Sequence, residues 1–153
     1  MKRAGRTLLG ACAAVAALGA CGDDSADDRA AVRRTIHAAV RAAVVDHDPR
    51  AACAYATPDG RALLLHWYRL SYERRFRSCE DVVRFEVRQQ RDDLAPALRR
   101  TLGVVGRVQV DGDKALADVA EEPGAQPYDA HVSLRKVAGR WLIEDSTVIP
   151  RGM

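Results

Sequence analysis

The sequence predicts an α+β domain in which helices come first and an antiparallel sheet follows. In the first half of the chain apolar residues recur at helical spacing, whereas beyond Thr101 they alternate with polar residues, as in strands. Turn signals at Asp111 with Gly112 and at Ala138 with Gly139 divide the alternating region into two hairpins. Helices followed by hairpins are typical of a sheet that helices cover on one face.

Cap residues place the first two helices. Ser25 is expected to cap the first helix. Its apolar side carries Val32, Ile36 and Val40. The run Asp46, His47 and Asp48 looks like a set of metal ligands in isolation, but it lies directly before Pro49. Asp48 as cap and Pro49 at the first position therefore predict a turn that starts a short second helix.

Two more segments have helical spacing. Turn residues at 57–60 precede a third amphipathic stretch with Leu63, Leu64, Trp67 and Leu70. Ser78, three positions before Asp81, is expected to cap a fourth segment with Val82, Val83, Phe85 and Val87 on its apolar side. Residues 91–102 are expected to be irregular or partly helical.

The second hairpin predicts which residues share a sheet face. A turn at Ala138 and Gly139 would place Leu134 opposite Ile143 and Val132 opposite Asp145. One face would then carry Tyr128, Ala130, Val132, Leu134, Trp141, Ile143, Asp145 and Thr147. The other face, with Asp129, His131, Ser133, Arg135 and Glu144, is expected to be solvated.

The N-terminus resembles a bacterial lipoprotein signal. Lys2, Arg3 and Arg6 precede an apolar stretch at 7–20, which is shorter than the roughly 20 residues of a membrane-spanning helix, and Cys21 follows small residues. The resemblance implies cleavage after residue 20 and a diacylglycerol thioether on Cys21, with acyl chains such as palmitate. An ordinary secretory signal with an incidental cysteine is the alternative.

This reading divides the chain into a signal peptide at 1–20, a tether at 21–26 and a single domain at 27–150. The resemblance implies anchoring at the outer, extracytoplasmic face of the cell membrane. The signal would remove three of the 24 basic residues, which leaves the mature chain balanced against 21 acidic ones. Without a basic stripe, no nucleic-acid partner is expected.

Cysteine usage predicts one disulfide. Cys12 lies in the signal and Cys21 would carry lipid, so Cys53 and Cys79 remain and are expected to pair in an oxidising compartment. The chain-entropy model gives such a bridge about 3.5 kcal/mol of stabilisation. A redox couple or metal site would call for a Cys-x-x-Cys spacing or nearby histidines, and neither is present. No metal and no other cofactor is expected.

The order of elements, together with the run from Gly139 through Trp141 to Ile143, resembles the nuclear transport factor 2-like superfamily. Its members include ketosteroid isomerase, the SnoaL-like polyketide cyclases and actinobacterial lipoproteins. Over about residues 27–149 the resemblance implies a curved sheet that forms a cone-shaped pocket with the helices. Enzymes of the superfamily place a carboxylate or a His–Asp pair in that pocket. Homodimers through the sheet are common among its members.

The candidate pocket residues are Asp145, Tyr128, Trp141, Tyr55 and His66. Burial beside Trp141 would raise the pKa of Asp145. Alternatively, strand curvature exposes Asp145, or an arginine pairs with it. The tyrosines could equally be core aromatics, and His66 could lie on a helix flank. The sequence does not identify a catalytic residue.

These observations favour a noncatalytic, membrane-anchored binding or accessory domain for a small apolar ligand or an envelope protein. The alternative is an isomerase, dehydratase or cyclase that acts through Asp145. A closed apolar cavity containing Asp145 and a tyrosine hydroxyl would favour the enzyme. A filled cone with an exposed apolar patch would favour protein interaction.

Overall fold

The structure is a computed structural model that describes residues 23–72, 74–93, 105–119 and 128–150. Four helices precede four strands, which confirms the predicted α+β class. The helices are α1 (Asp23–Val44), α2 (Pro49–Ala54), α3 (Pro58–Ser71) and α4 (Cys79–Asp93). The strands are β1 (Val105–Asp111), β2 (Lys114–Val119), β3 (Tyr128–Val137) and β4 (Arg140–Pro150).

The first helix begins earlier than its expected cap. α1 starts at Asp23, so the cap predicted at Ser25 is wrong, and positions 23–26 of the expected tether are helical. The buried stripe of α1 begins as predicted with Val32 and Ile36. It then continues through Ala39 and Ala42, whereas Val40 is only partly buried against the core.

The junction between α1 and α2 confirms the predicted turn. His47 adopts a left-handed conformation (φ 51°) that ends α1. The Asp48 carboxylate then accepts a hydrogen bond from the Ala51 amide at 2.9 Å, with Pro49 in the first helical position. The acidic residues around His47 therefore shape a turn.

Residues 57–60, expected to form a turn, instead start α3. Thr57 is the cap, and its Oγ1 accepts a hydrogen bond from the Gly60 amide at 2.9 Å. Pro58 is the first helical residue, a position where its missing N–H costs nothing. Threonine, proline and glycine serve turns and helix starts alike, so the local sequence alone does not distinguish them.

The four strands form one antiparallel sheet in the order β1-β2-β3-β4. The first hairpin turns at Gly112 and Asp113, and the second at Ala138 and Gly139. Gly112 and Gly139 have positive φ angles of 59° and 77°, as tight hairpin turns require.

One face of the sheet, here called the inner face, is covered by α1. The core between α1 and this face consists of Val32 and Ile36 from the helix and of Val108, Ala115, Ala117, Val132, Leu134 and Trp141 from the sheet. α1 is also hydrogen-bonded to both edge strands: Arg33 donates to the Gly106 carbonyl at 3.0 Å and Thr35 donates to the Trp141 carbonyl at 3.3 Å. The helix is therefore fixed across the sheet by burial and by polar contacts at its margins.

The remaining helices are joined by the predicted disulfide. Cys53 of α2 is bonded to Cys79, the first residue of α4, with the two Cα atoms 6.2 Å apart. α4 packs against α1, α2 and α3, and α3 packs against β4. The bridge thus fastens a second layer of helices beside the one that covers the sheet.

The register of the second hairpin is partly as predicted. Leu134 lies opposite Ile143, but Asp145 lies opposite Ser133, and Val132 lies opposite Ser146. The predicted pairing of Val132 with Asp145 is therefore wrong. Glu144 is one extra residue in β4, a bulge that shifts every later residue to the other face.

Contacts from the helical half of the chain explain the bulge. The Ile143 amide donates to the Tyr55 carbonyl and the Ile143 carbonyl accepts from the Thr57 amide, each at 2.8 Å. A Cβ at Gly60 would lie 2.7 Å from the Ile143 oxygen and 2.8 Å from the Glu144 oxygen. The start of α3 thus rests directly on the bulged backbone, which only glycine permits.

Candidate functional site

The structure does not bring the candidate pocket residues together. Trp141 lies on the inner face and is only 4% exposed, whereas Asp145 is paired with Ser133 beyond the bulge, on the opposite face. Asp145 is half-buried there and is engaged in a contact of its own. The expected shared cavity of a carboxylate and an indole is therefore wrong for these two residues.

The other candidates lie apart as well. Tyr55 ends α2, half-buried at the edge of β4. His66 is exposed on α3, with its ring centroid 6.2 Å from that of Trp67, which agrees with the helix-flank alternative. The side chain of Tyr128 falls outside the described part of the structure.

Trp141 has a structural partner that the sequence did not reveal. Its indole Nε1 donates to Asp28 Oδ1 at 2.9 Å, and Lys136 Nζ lies 2.7 Å from the same oxygen and 3.0 Å from Oδ2. The hydrogen bond from Lys136, followed by that from Trp141, holds the pKa of the Asp28 carboxyl below its ordinary value. This cluster fastens α1 to the β3–β4 hairpin.

The inner face is filled at the position where the resemblance implies a pocket. Val32 and Ile36 of α1 pack against the sheet residues Ala117, Leu134 and Trp141, and all five side chains are buried. Apolar side chains in mutual contact leave no room for a ligand between these five residues.

The opposite face of the sheet, here called the outer face, is not covered by any of the described helices. It carries Arg107, Gln109, Asp111, Lys114, Leu116, Asp118, His131, Ser133, Arg135, Leu142, Glu144 and Asp145. Leu116, 42% exposed, lies in a shallow depression with Gln109, Ser133 and Glu144. Leu116, Leu142 and Val137 are the apolar residues among the described side chains of this face, and the others are polar and carry both charges.

Side-chain contacts order this outer face. Arg135 forms an ion pair with Glu144, with Nη2 and Oε1 2.7 Å apart. Asp118 Oδ1 lies 3.0 Å from His131 Nδ1. Both pairs keep substantial exposure, so water competes with each contact and a proton-transfer role would lack an enclosing site. The arrangement is suited to hydrogen bonding and charge pairing with another surface.

The Asp118–His131 pair was not predicted. His131 was placed correctly on the solvated face, but its partner comes from β2, which is separated from β3 by residues 120–127. A long connection does not fix strand register in the way that a two-residue turn does. Alternation alone therefore identified the face of His131 and not its neighbour.

A second feature lies on the outside of the domain, on α3. Leu63, Trp67 and Leu70 share one face at i, i+4 and i+7, and Trp67 and Leu70 are 55% and 67% exposed. Tyr72, which ends the helix, is 40% exposed. The sequence predicted this amphipathic stretch but not that its largest apolar side chains would face solvent.

An aromatic cluster supports this end of α3. It consists of Tyr68, Tyr72, Phe76 and Phe85, with ring centroids 4.9 to 6.3 Å apart. The Arg74 guanidinium lies 5.4 Å from the centre of the Phe85 ring, and Arg69 Nε donates to the Phe76 carbonyl at 2.9 Å. Burial, and then a hydrogen bond with Glu86, raises the pKa of Tyr68.

Comparison with known proteins gives a distant structural likeness. No protein-family model and no curated protein sequence matches the chain. A de novo designed protein with a curved β-sheet is similar in structure, with a TM-score of 0.40 and 19% identity, and the match covers 76% of this chain and 97% of the designed one. A likeness this distant carries no argument about family or function.

None of the described helices has the length and apolar character needed to cross a bilayer. Within the same residues, histidine, cysteine and acidic side chains nowhere form a group of three that could hold a metal ion.

Proposed function

We propose that this protein is a noncatalytic lipoprotein, anchored at the outer face of the cell membrane through Cys21, that binds an envelope protein through the outer face of its sheet. The observation that supports this proposal is the contrast between the two sheet faces. α1 fills the inner face, whereas the outer face leaves Leu116 exposed among paired charges. Protein interfaces commonly have apolar side chains at their centre and polar residues at their rim.

A pocket-based function has less support. A small apolar ligand would need space that Val32, Ile36 and Leu134 occupy. An isomerase, dehydratase or cyclase would need Asp145 in an apolar cavity, and the bulge at Glu144 directs Asp145 away from Trp141. We therefore propose surface binding in preference to either.

The anchor is tested by the intact mass of the protein extracted from its own membranes. We expect an N-terminus at Cys21 with an added diacylglycerol and acyl mass. A product that still begins at Met1, with no acyl mass, would contradict the proposed anchor.

The outer face is tested by photo-crosslinking of the full chain in its own host. A photoreactive amino acid at Leu116 should form a discrete adduct with an envelope protein. The control is Val45, which is 48% exposed just after α1 and lies outside the sheet. Equal labelling from both positions, or none from Leu116, would contradict the proposal. An adduct of twice the chain mass would indicate a homodimer instead of an envelope partner.

A further inference from the structure

The α3 face that carries Trp67 and Leu70 stays largely exposed to solvent in the described part of the structure. Tyr72 and the exposed arginines Arg69 and Arg74 flank this face, and they also contact the aromatic cluster. From the structure we infer that this α3 face rests on the surface of the anionic bilayer that holds the anchor. The inference depends on the proposed lipidation of Cys21.

The tether between Cys21 and α1 is short. α1 begins at Asp23, two residues after Cys21. An extended chain spans at most about 3.5 Å per residue, so the lipidated sulfur would lie within roughly 10 Å of the helix start. A domain held this closely must place part of its surface against the headgroups.

The distribution of charge indicates which part of the domain surface lies against the headgroups. The start of α1 is acidic, with Asp23, Asp24 and Asp27, and anionic headgroups would repel it. The segment at 69–77, by contrast, contains four arginines and one glutamate. Its arginines are exposed and complement the charge of an anionic bilayer.

The side-chain chemistry of the face fits the depth it would occupy. Tryptophan and tyrosine prefer the boundary between headgroups and acyl chains, where the ring is buried and the polar tip stays hydrated. A leucine beside them adds apolar area, and long arginines reach phosphates. Trp67 and Leu70 lie about one turn apart on the same side of α3 and would enter the boundary together, with Tyr72 beside them at the end of the helix.

The buried position of Trp141 makes Trp67 a built-in reporter. The chain has two tryptophans, and Trp141 is enclosed by the core, so fluorescence changes at the protein surface report on Trp67. The experiment uses the full lipidated protein, reconstituted into vesicles of phosphatidylcholine with or without phosphatidylglycerol. Bromine-labelled acyl chains quench tryptophan from within the bilayer, and iodide quenches it from water.

In vesicles that contain phosphatidylglycerol we expect emission from Trp67 to shift to shorter wavelength, to be quenched by brominated lipid and to be protected from iodide. Added salt should weaken all three changes. Leu70→Ser should lower the ratio of docked to undocked protein about five- to tenfold. Val45→Ser, at an exposed valine just after α1 that belongs to neither proposed surface, is the control and should change nothing.

Three outcomes would overturn the inference. Trp67 could stay open to iodide in both vesicles, or Val45→Ser could reduce quenching as much as Leu70→Ser. Trp67 could also be protected from iodide without quenching by brominated lipid, which would mean that a protein covers the face. Trp67→Phe gives the background from Trp141. The intact mass separates this inference from the anchor, since an acylated protein with an undocked α3 face would refute the inference alone.

Discussion

Helices α1 and α3 have similar apolar spacing but different surroundings. In α1 the stripe at Val32 and Ile36 is buried against the sheet, and Ile36 is 4% exposed. In α3 the stripe that contains Trp67 and Leu70 is mostly in solvent. Equal spacing thus predicted two helices correctly, while only one of them buries its apolar face within the domain.

The difference lies in how each helix is held. α1 is held along its length by packing and by hydrogen bonds to both sheet edges. α3 is held at its start, where Thr57 and Gly60 meet β4, and at its end, where the aromatic cluster and α4 lie. The first arrangement serves stability, and the second leaves the outward-facing side of α3, with Trp67 and Leu70, exposed to solvent.

The largest effect is expected from the disulfide, which holds the layer that contains α4. Replacing both Cys53 and Cys79 with alanine should lower the free energy of unfolding by about 3.5 kcal/mol, because the unfolded chain regains the entropy that the bridge removes. Urea denaturation with and without reductant measures the change. Reductant should destabilise the wild type alone, and a double variant as stable as the oxidised wild type would contradict the expected role.

Next in size is the direct comparison of the two apolar stripes. Ile36→Ala in α1 should cost about 3 kcal/mol, since it leaves a cavity between helix and sheet. Leu70→Ala in α3 should cost less than about 0.5 kcal/mol, because that side chain is exposed. Urea midpoints of the two variants measure the difference. Similar losses of stability in the two variants would show that Leu70 is packed as tightly as Ile36.

A smaller effect is expected where α3 meets the bulge. Gly60→Ala should cost about 2 kcal/mol, because its Cβ would press on the backbone oxygens of Ile143 and Glu144. Gly106→Ala is the matched control, since its Cβ would lie an ordinary 3.4 Å from the Asp118 oxygen. Thermal unfolding of both variants tests the contact, and an unchanged midpoint for Gly60→Ala would argue against it.

The smallest effect concerns pH and the start of α1. The pKa of Asp28 is lowered in the folded protein, so the unfolded state binds the proton more readily in acid. The contribution of Asp28 should be fully present above its ordinary value of 3.8 and be lost as the pH falls below it. Urea midpoints measured from about pH 6 down to about pH 2 would show this loss.

Asp28→Asn should lower stability at neutral pH and flatten this acid dependence. Asp27→Asn, at an exposed carboxylate one residue earlier, is the control and should keep the wild-type slope. Equal slopes for the wild type and Asp28→Asn would mean that the cluster with Lys136 and Trp141 does not stabilise the fold.

Local sequence rules accounted for much of the fold. The cap at Asp48, the turn at Gly139, the pairing of Leu134 with Ile143 and the bridge from Cys53 were all predicted. Each depends on neighbours in sequence or on the count of cysteines, and such signals survive without knowledge of the tertiary structure.

The geometry of the candidate site depends on contacts between residues that are far apart in sequence, and most of it was not predicted. The bulge at Glu144 lies where Gly60 and Tyr55 meet β4. The alternation of apolar and polar residues along the strand does not indicate it. The partner of His131 depends on a register set across 120–127. The exposure of Trp67 depends on what fails to cover α3, and apolar spacing along a single helix does not contain that information.

The contacts between Asp28 and the β3–β4 hairpin also determine where a mechanical load applied before α1 would reach the sheet. Asp28 lies five residues after the start of α1 and is bound to both Lys136 and Trp141. Tension applied at Cys21, the proposed anchor, would therefore be transmitted through Asp28 to β3 and β4, the longest pair of strands in the described sheet.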